Sequence, residues 1–497
     1  MKALVIGGSV TGLAVGLFAA RRGVEVTIVD ADDETDPGRR FDETVARSVR
    51  RPTPQAAHSH AFLSRSHAVL QAEAPDVLDA FAAHGVESIR LADHLPSTLT
   101  DRTSRDGDDD LVVLRSRRST IEAVLRQVVA AEPGVTIRAG VDVTGLLYDD
   151  GAGSVTSTVP HVVGVTTGSG ELRADVVLDA SGRKGSTYRW LDERGISAPE
   201  EVSDCGIAYY SRFYRRYMGE RIGELNRGYT AGSSFDRYST LVFPGDHRSF
   251  SVTFGILPED APLRKLRHDD AFEAAAHSIP VIADWVERAE PISEVRSMTG
   301  MKNRLRRLVS TGPDGDRAPL VTGLIPIADA AGISNPAHSR GCSLAVSHAA
   351  RIADLIVETH DRHDEMIAAD DVLSEVIEPW ITDSRRQDEA RLSRWRPDGG
   401  HVAPLVPPGQ VSNGQAWTAA HHDRDVWSRF TRLQQLLAST DEVLSDDDTV
   451  ARVRSVVDRG LGLPTLDAPD HDALGDLLSS HAPSTRRRDL RRLAASV

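Results

Sequence analysis

The sequence predicts an α/β fold with a parallel sheet at its start, an inserted antiparallel sheet and a helical C-terminal region. The apolar run Ala3 to Ile6 leads into a glycine-rich turn and a helical pattern, and a second apolar run, Val24 to Val29, ends at Asp30. Residues 205–257 alternate aromatic and polar positions, which is typical of antiparallel strands. Beyond about residue 370 the pattern is mostly helical, with a Pro/Gly-rich break over 397–409.

Composition restricts the class of protein. A chain of 497 residues, 40% hydrophobic and 26% charged, is typical of a globular protein with two or three domains. A net charge of −15 argues against nucleic acid as the main partner. Two cysteines exclude a disulfide framework and a multi-cysteine metal site, so we expect no metal. No run approaches the ~20 apolar residues of a membrane span, and no secretory signal precedes Ala3, so we expect no membrane span and a cytoplasmic location.

The first turn predicts a nucleotide site. In Gly7-Gly8-Ser9-Val10-Thr11-Gly12, Gly7 allows a tight turn and Gly12 lets the helix approach the strand. The helix start then directs free N–H groups at a diphosphate, and the Ser9 hydroxyl, at the usual middle glycine, could donate to a phosphate. We therefore expect the diphosphate to contact Gly7, Ser9, Val10, Thr11 and Gly12. Asp30 lies close to the position, ~20 residues after the turn, where such sites have an acid that binds the ribose.

Two later segments make a resemblance specific. Ala174-Asp-Val-Val-Leu-Asp-Ala-Ser-Gly-Arg183 is a strand with a small-residue turn, and Leu324 to Ser343 contains a strand, Asp329, a loop and a helix start. With these segments, three quarters of the chain resembles the flavin-dependent monooxygenase superfamily, the para-hydroxybenzoate hydroxylase-like fold. Bacterial natural-product epoxidases and hydroxylases are the most similar members, through five segments: Pro54-Gln-Ala-Ala-His-Ser-His60, Glu122-Ala-Val-Leu-Arg126, Asp179-Ala-Ser-Gly-Arg183, Tyr188-Arg-Trp-Leu191 and Tyr210-Ser-Arg-Phe-Tyr214.

The resemblance implies FAD as the cofactor and gives roles to further residues. Arg118 and Arg50 match arginines that reach FAD, and Val143 matches a backbone contact to adenine. Asp329 would bind the ribityl chain. Gly341, Cys342 and Ser343 would begin a helix directed at the flavin N1–O2 edge, where a helix N-terminus stabilises the negative charge of reduced flavin.

The resemblance also implies a Rossmann-like FAD-binding domain over residues 1–200 and 290–370. An inserted substrate-binding β-sheet domain would span 201–289, and a C-terminal helical region 371–497. The sheet would form the floor of the substrate pocket, and the C-terminal helices would cap it.

The sequence departs from the family at three motifs. The family's Asp-Gly reads Ser181-Gly182, and its Gly-Asp reads Ala328-Asp329. The first glycine of the flavin loop is Ser339, followed by Arg340. We expect FAD to bind despite these changes. Ser339 has fewer backbone conformations available beside the flavin than the glycine of the family would have.

Three histidines are candidates for proton transfer. His58 and His60 are alternate residues of an extended segment and would face one side, as structural residues, pocket lining or proton carriers. His338 lies in the flavin loop, where a surface role is equally open. Cys342 is expected to pack at a helix start, a position that lowers a thiol pKa.

The implied activity is that of an FAD-dependent monooxygenase, a hydroxylase or epoxidase acting on a hydrophobic small molecule in secondary metabolism. In such enzymes reduced FAD captures O2 as a C4a-hydroperoxide, and electrons come from NAD(P)H directly or from a partner flavin reductase. An FAD-dependent dehydrogenase or double-bond reductase is an alternative, because Asp179-Ala-Ser-Gly182 also occurs among geranylgeranyl-reductase-like relatives. A non-redox ligand-binding protein is another, suggested by Ala328, Ser339 and Arg340.

A flavin halogenase is disfavoured. That family needs a Trp-x-Trp-x-Ile-Pro segment and a lysine after the first βαβ unit, and neither occurs between Lys2 and Lys184.

Overall fold

A computed structural model describes residues 1–33, 58–149, 159–396 and 406–481. In chain order the strands are β1 Lys2–Ile6, β2 Glu25–Asp30, β3 Glu87–Arg90, β4 Val112–Arg115, β5 Val135–Ala139, β6 Val143–Asp149, β7 His161–Thr167, β8 Gly170–Arg173, β9 Val176–Asp179, β10 Glu200–Asp204, β11 Ala208–Arg216, β12 Ala231–Ser234, β13 Tyr238–Pro244, β14 Ser249–Ile256, β15 Ala289–Pro291, β16 Arg296–Met298, β17 Lys302–Arg306, β18 Val309–Thr311, β19 Arg317–Pro319, β20 Leu324–Pro326 and β21 Gly332–Ile333.

The α-helices are α1 Val10–Arg21, α2 Ser64–Glu73, α3 Pro75–Ala83, α4 Arg118–Ala131, α5 Thr187–Glu193, α6 Asp269–His277, α7 Pro280–Val286, α8 Gly341–Glu358, α9 Arg362–Val376, α10 Glu378–Trp395, α11 Asn413–Ala420, α12 Arg424–Gln434, α13 Thr440–Leu444, α14 Asp447–Asp458 and α15 His471–Ser479.

A parallel sheet in the order β20-β9-β1-β2-β5 organises the first part of the fold. Its strands are apolar runs because parallel sheets are covered on both faces. Helix α1 packs against α8 and α4 over β1 and β2. The predicted βαβ unit and the returning strand near residue 324 are therefore confirmed, and the structure is the Rossmann-like α/β fold that the sequence predicted.

The second large sheet is antiparallel, in the order β12-β13-β14-β11-β15, with β16 also pairing with β11. Alternate residues divide it into two faces. On one face Tyr214, Phe250 and Phe254 are buried beneath α6 and α7. The other face carries Tyr209 and Leu241 towards the parallel-sheet part of the molecule. The aromatic–polar alternation thus predicted this sheet correctly, and β15 and β16 extend it to residue 298.

The C-terminal region is helical, as expected. Helices α9 to α14 pack against the main core, and α15 buries Leu474 and Leu478 beneath the antiparallel sheet. The break predicted over 397–409 lies largely outside the described residues. Within the described ranges, none of the helices combines the length and apolar character needed to cross a bilayer.

Glu365 on α9 predicts a pH-dependent stability. Glu365 is 8% exposed, and this burial raises the pKa of its carboxyl to about 7. The positive charge of Arg362 acts in the opposite direction and is outweighed. Below the unfolded pKa of 4.5 the carboxyl is neutral in both states, and above about 7 the folded state carries an ionisation penalty of about 3 kcal/mol. Glu365→Gln should therefore stabilise the protein by about that amount at pH ~8 and by nearly nothing at pH ~4.5.

Urea unfolding of Glu365→Gln and wild type at both pH values measures this difference. Glu389→Gln, at an exposed position of α10, serves as the control. A gain for Glu365→Gln that is equal at the two pH values would contradict an ionisation penalty at Glu365.

Candidate functional site

Three loops meet at the carboxyl edge of the parallel sheet. The glycine-rich turn follows β1, the turn of residues 180–184 follows β9, and a short 3₁₀ helix, Ala328–Ala330, follows β20. Because β20, β9 and β1 are neighbours, their following loops lie side by side, where open α/β sheets bind ligands. Thr11, Gly182 and Asp329 accordingly line one cavity, called here the first cavity.

The glycine-rich turn has the geometry of a diphosphate site. A Cβ on Gly12 would overlap the carbonyl oxygen of Gly7. Gly7 has a φ of +102°, and its Cβ would lie 2.7 Å from the carbonyl oxygen of Ala180. Val10 and Thr11 lie in the first turn of α1, and their backbone N–H groups have no acceptors among the described residues. Unpaired amides at a helix start are suited to bind an anion.

Arg118 joins the glycine-rich turn to the cavity wall. Its Nη2 donates to Ser9 Oγ at 2.8 Å, and its Nη1 lies 3.4 Å from His60 Nε2. Ser9 Oγ in turn donates to Glu122 Oε2 at 2.9 Å. The sequence predicts that the Ser9 hydroxyl could donate to a phosphate. In the structure this hydroxyl donates to Glu122 instead.

The adenosine end of the expected site holds a contact that the sequence did not indicate. Arg126 Nη2 donates both to Asp30 Oδ2 at 2.6 Å and to the carbonyl oxygen of Gly8 at 2.7 Å. The N–H of Val141 donates to the carbonyl oxygen of Asp30, which brings the start of β6, Val143, close to the end of β2. Neither Asp30 nor Val143 lines the first cavity. Arg50 lies outside the described residues.

Asp329 presents an unpaired carboxylate to the other end of the first cavity. Burial raises its pKa, whereas the positive charges of Arg118, Arg183 and Arg304 oppose that shift. None of the described residues donates a hydrogen bond to this carboxylate. A half-buried carboxylate with free acceptor capacity fits the hydroxyl groups of a ribityl chain.

The start of α8 faces the same cavity. Gly341 and Cys342 line it, and within the described part of the chain their backbone N–H groups have no acceptors. Ser343 instead directs its hydroxyl at α2, where it accepts from the N–H of Leu63 at 3.0 Å. Burial raises the pKa of the Cys342 thiol. The expectation of a lowered pKa was wrong because desolvation of the thiolate outweighs the helix N-terminus and the charge of Arg118.

Ala328 and Ser339 stand where the family motifs have glycine, and both keep a backbone conformation that glycine favours. Ala328 has a φ of +53° and Ser339 a φ of +55°, a left-handed conformation that costs a non-glycine residue about 1–3 kcal/mol. The N–H of Ala328 donates to His348 Nδ1 at 3.0 Å. Burial lowers the pKa of His348 to about 3, so this histidine is a neutral acceptor at pH 7.

A buried polar network anchors the loop between β21 and α8, residues 334–340, to α10. The N–H of Asn335 donates to Asn303 Oδ1 at 2.8 Å and to Ser384 Oγ at 3.0 Å, and its Nδ2 donates to Asp388 at 2.6 Å. Arg340, which is 5% exposed, pairs with Asp383 at 2.5 Å and lies over the Trp380 ring. Helix α10 therefore holds the loop at both ends.

His58 and His60 both line the first cavity. His58 Nδ1 lies 3.0 Å from Ser211 Oγ, and His60 Nδ1 donates to the carbonyl oxygen of His58 at 2.9 Å. Burial lowers the pKa of His58 to about 4 and that of His60 to about 3, with nearby arginines acting in the same direction. Both imidazoles are therefore neutral at pH 7.

His338 does not line the first cavity but a second one of about 670 Å³. Its Nε2 is buried, and burial lowers the pKa of His338 to about 3. The second cavity lies between the antiparallel sheet and helices α10 to α12, and shares Tyr209, Leu241 and Phe243 with the first. A cavity of this size with aromatic walls suits an apolar small molecule.

Comparisons with known proteins agree with this geometry. Residues 2–55 match the profile of the family described as pyridine nucleotide-disulphide oxidoreductase. A flavoprotein/dehydrogenase from Cytophaga hutchinsonii superposes with a TM-score of 0.60 at 15% identity, over 93% of this chain and 100% of that chain. The flavin-dependent brominase Bmp2 has a TM-score of 0.57 at 16% identity, over 93% and 99% of the two chains.

PqsL, a probable FAD-dependent monooxygenase from Pseudomonas aeruginosa, has a TM-score of 0.54 at 12% identity, over 80% of this chain and 98% of that chain. No curated protein matches the sequence significantly. The shared fold is that of FAD-binding flavoproteins, as the sequence resemblance implied. Together with the N-terminal match, it supports an FAD-dependent oxidoreductase.

Proposed function

We propose that this protein is an FAD-dependent monooxygenase that hydroxylates or epoxidises a hydrophobic small molecule. The proposal rests on one observation, which is that the first and second cavities are neighbours. Two helix N-termini, whose amides have no acceptors among the described residues, face the first cavity, and that cavity shares Tyr209, Leu241 and Phe243 with a second cavity that has aromatic walls. FAD bound in the first cavity would bring its ring system beside a substrate in the second.

The residues around the first cavity divide the binding of FAD between them. Val10 and Thr11 would hold the diphosphate, and Asp329 the ribityl hydroxyls. The start of α8 would stabilise negative charge on the reduced ring, because the positive end of the helix dipole lies there. When bound and reduced, FAD supplies the chemistry of O2 activation. The chain's own part is then to orient the substrate and exclude water.

The neutral state of His58 and His60 bears on their role. Because His58 and His60 are uncharged at pH 7, they add no charge beside the substrate, and Arg118 remains a cation directed at Ser9 and His60. We propose His58 and His60 as pocket lining, and His338 as a wall of the substrate cavity.

Two further functions fit the same site. A dehydrogenase or double-bond reductase would use the same FAD cradle without oxygen transfer. Halogenation is disfavoured by the absence of the tryptophan segment and of a lysine between Lys2 and Lys184, although the fold is also that of the brominase Bmp2. A non-redox ligand-binding protein would keep the cavities without using the flavin.

One set of measurements separates these functions. The purified protein is loaded with FAD, desalted and examined for bound oxidised flavin by absorbance. It is then reduced by NADPH or by a flavin reductase, and oxygen uptake is compared with oxygen incorporated into apolar aromatic and alkene substrates. Incorporation of one oxygen atom per O2 supports the proposal. Substrate oxidation or reduction without incorporation indicates the dehydrogenase, and protein that cannot retain FAD indicates the non-redox function.

Arg118 gives a matched test of the cofactor site. Arg118→Met removes a charge-assisted hydrogen bond worth about 1.5–3 kcal/mol, so FAD should bind about tenfold to a hundredfold more weakly. Glu122→Gln is introduced in the same variant, because the Glu122 carboxylate would otherwise remain buried without its cation. Titration of apoprotein with FAD by flavin fluorescence measures the dissociation constant.

Arg189→Met, at an exposed position of α5, is the control for loss of an arginine. Glu122→Gln alone shows how much of the change belongs to the carboxylate. Unchanged FAD affinity in the double variant would remove Arg118 from the cofactor site.

A further inference from the structure

Arg227 stands out among the residues of the second cavity. Its guanidinium lies over the Trp417 ring, 4.7 Å from the ring centroid. No carboxylate of the described residues forms an ion pair with it, and no described residue accepts a hydrogen bond from its side chain. The guanidinium stacks on an aromatic face and lies near the Tyr229 phenol, which leaves its N–H groups without an acceptor among the described residues.

Three arginines that are more deeply buried than Arg227 are paired. Arg117 is held by Asp246, Arg340 by Asp383 and Arg424 by Asp108. Asp236 also lines the second cavity, but its carboxylate lies 3.6 Å from Arg237. Burial of an unpaired cation is costly, and burial accordingly lowers the pKa of Arg227. The fold therefore maintains an unbalanced positive charge at this wall.

His421 adds a second unused polar group at the same place. It is 6% exposed, and both of its ring nitrogens are buried without a partner among the described residues. Its ring meets Trp417 edge to face, with 4.8 Å between centroids. Burial and the charge of Arg227 lower its pKa to about 4. At pH 7 the neutral imidazole offers one N–H donor, which no described protein group uses.

We propose that Arg227, together with His421, binds the carboxylate of a hydrophobic acid, and that this acid is the substrate class of the enzyme. This inference rests on the proposed function, because it assumes that the second cavity holds the substrate. A planar guanidinium matches a planar two-oxygen anion, and the imidazole N–H can donate to a remaining lone pair. At this wall, one cation and one neutral donor match the single negative charge of a carboxylate more closely than the double charge of a phosphate.

The position of the pair orients the molecule. Arg227 and His421 line only the second cavity, whereas Tyr209, Leu241 and Phe243 line both cavities. A carboxylate fixed at Arg227 leaves the apolar part of the acid to extend along the sheet towards the first cavity. The charged end would then be kept away from the reacting position.

Three related probes test this assignment on the full-length protein saturated with FAD: 2-naphthoate, methyl 2-naphthoate and 2-naphthyl phosphate. Trp395, Trp417 and Trp427 line the cavity, so quenching of tryptophan fluorescence reports binding. Wild type should bind 2-naphthoate about tenfold or more tightly than the ester, as expected for a charge-assisted hydrogen bond. Arg227→Gln should remove that preference and leave the affinity for the ester unchanged. Arg459→Gln, at an exposed position after α14, should change neither affinity.

Several results would overturn the proposal: equal binding of acid and ester, tighter binding of the phosphate, no binding of 2-naphthoate up to ~1 mM, or equal weakening of both ligands by Arg227→Gln. If Arg227→Gln does not fold, the acid–ester comparison in wild type still decides, and His421→Phe keeps the ring while removing its N–H. FAD retention is recorded in the same samples. Acid preference without FAD retention contradicts the proposed function alone, and FAD retention without acid preference contradicts this inference alone.

Discussion

Replacement of Gly12 by valine should abolish flavin retention. The turn after β1 brings the first turn of α1 against the carbonyl oxygen of Gly7, and any Cβ at residue 12 would overlap that oxygen. Relief of the overlap has to move the helix start away from the strand. The unpaired amides of Val10 and Thr11 then no longer converge on one point, so the diphosphate loses several hydrogen bonds at once. We expect FAD affinity to fall more than a hundredfold, because each such bond is worth about 1.5–3 kcal/mol.

The ratio of flavin to protein absorbance after desalting measures this loss. Circular dichroism of the apoprotein shows whether the fold is retained, and Gly12→Ala tests the smallest overlapping side chain. Gly168→Ala is the matched control, since a Cβ at that turn between β7 and β8 would meet nothing within 4 Å. A folded Gly12→Val protein that keeps its full complement of FAD would show that the diphosphate lies elsewhere.

The sequence predicted the parts of the site that depend on local pattern. A strand, a glycine turn, a helix and a second strand are neighbours in the chain, so the unit around Gly7 to Asp30 could be read directly. The aromatic–polar alternation of residues 205–257 has the period of two that a half-buried strand imposes. The motif spacing also placed Asp329 and Gly341 at one edge of the sheet, where both line the first cavity.

The remaining features depend on contacts between distant segments. The segment Glu122 to Arg126 indicated only a resemblance, yet Arg126 joins Gly8 to Asp30 across two elements. Nothing in the spacing of Asn303, Asn335 and Asp388 indicated that they meet, because each lies in a different element and the contact is formed by tertiary packing. The same holds for Arg227 and Trp417, whose contact crosses from a sheet loop to α11.

The hydrogen bonds around Ala328, Asn335 and Arg340 compensate for the departures from the family motifs. Ala328 and Ser339 keep a left-handed backbone that glycine would adopt without strain. His348 accepts from the strained Ala328, and α10 holds the loop on both sides of Ser339 through Asn335 and Arg340. Strain of this kind persists only where the surroundings over-determine it. The C-terminal region therefore supports the loop beside the first cavity and also lines the second cavity.

The Arg340–Asp383 pair should accordingly be the most sensitive point of the loop. Both side chains are almost fully buried, and burial alone would raise the pKa of Asp383, but the charge of Arg340 and the hydrogen bonds from Arg340 and Gln387 together lower it. Arg340→Met leaves a buried carboxylate without its cation, which costs about 3–5 kcal/mol. We expect that loss in the free energy of unfolding, and a weaker FAD complex because the helix start at Gly341 is no longer fixed.

A double-mutant cycle separates the pair from the rest of the network. Urea unfolding of Arg340→Met, Asp383→Leu and the double variant gives the coupling energy, and the double variant should recover most of the lost stability because it leaves no buried charge unpaired. FAD affinity should not recover in parallel, since an apolar contact does not fix the direction of the Ser339 backbone. The exposed pair Arg351 and Glu375 provides the control cycle, with an expected coupling of only about 0.2–1 kcal/mol. Additive losses at Arg340 and Asp383 would show that the ion pair does not hold the loop.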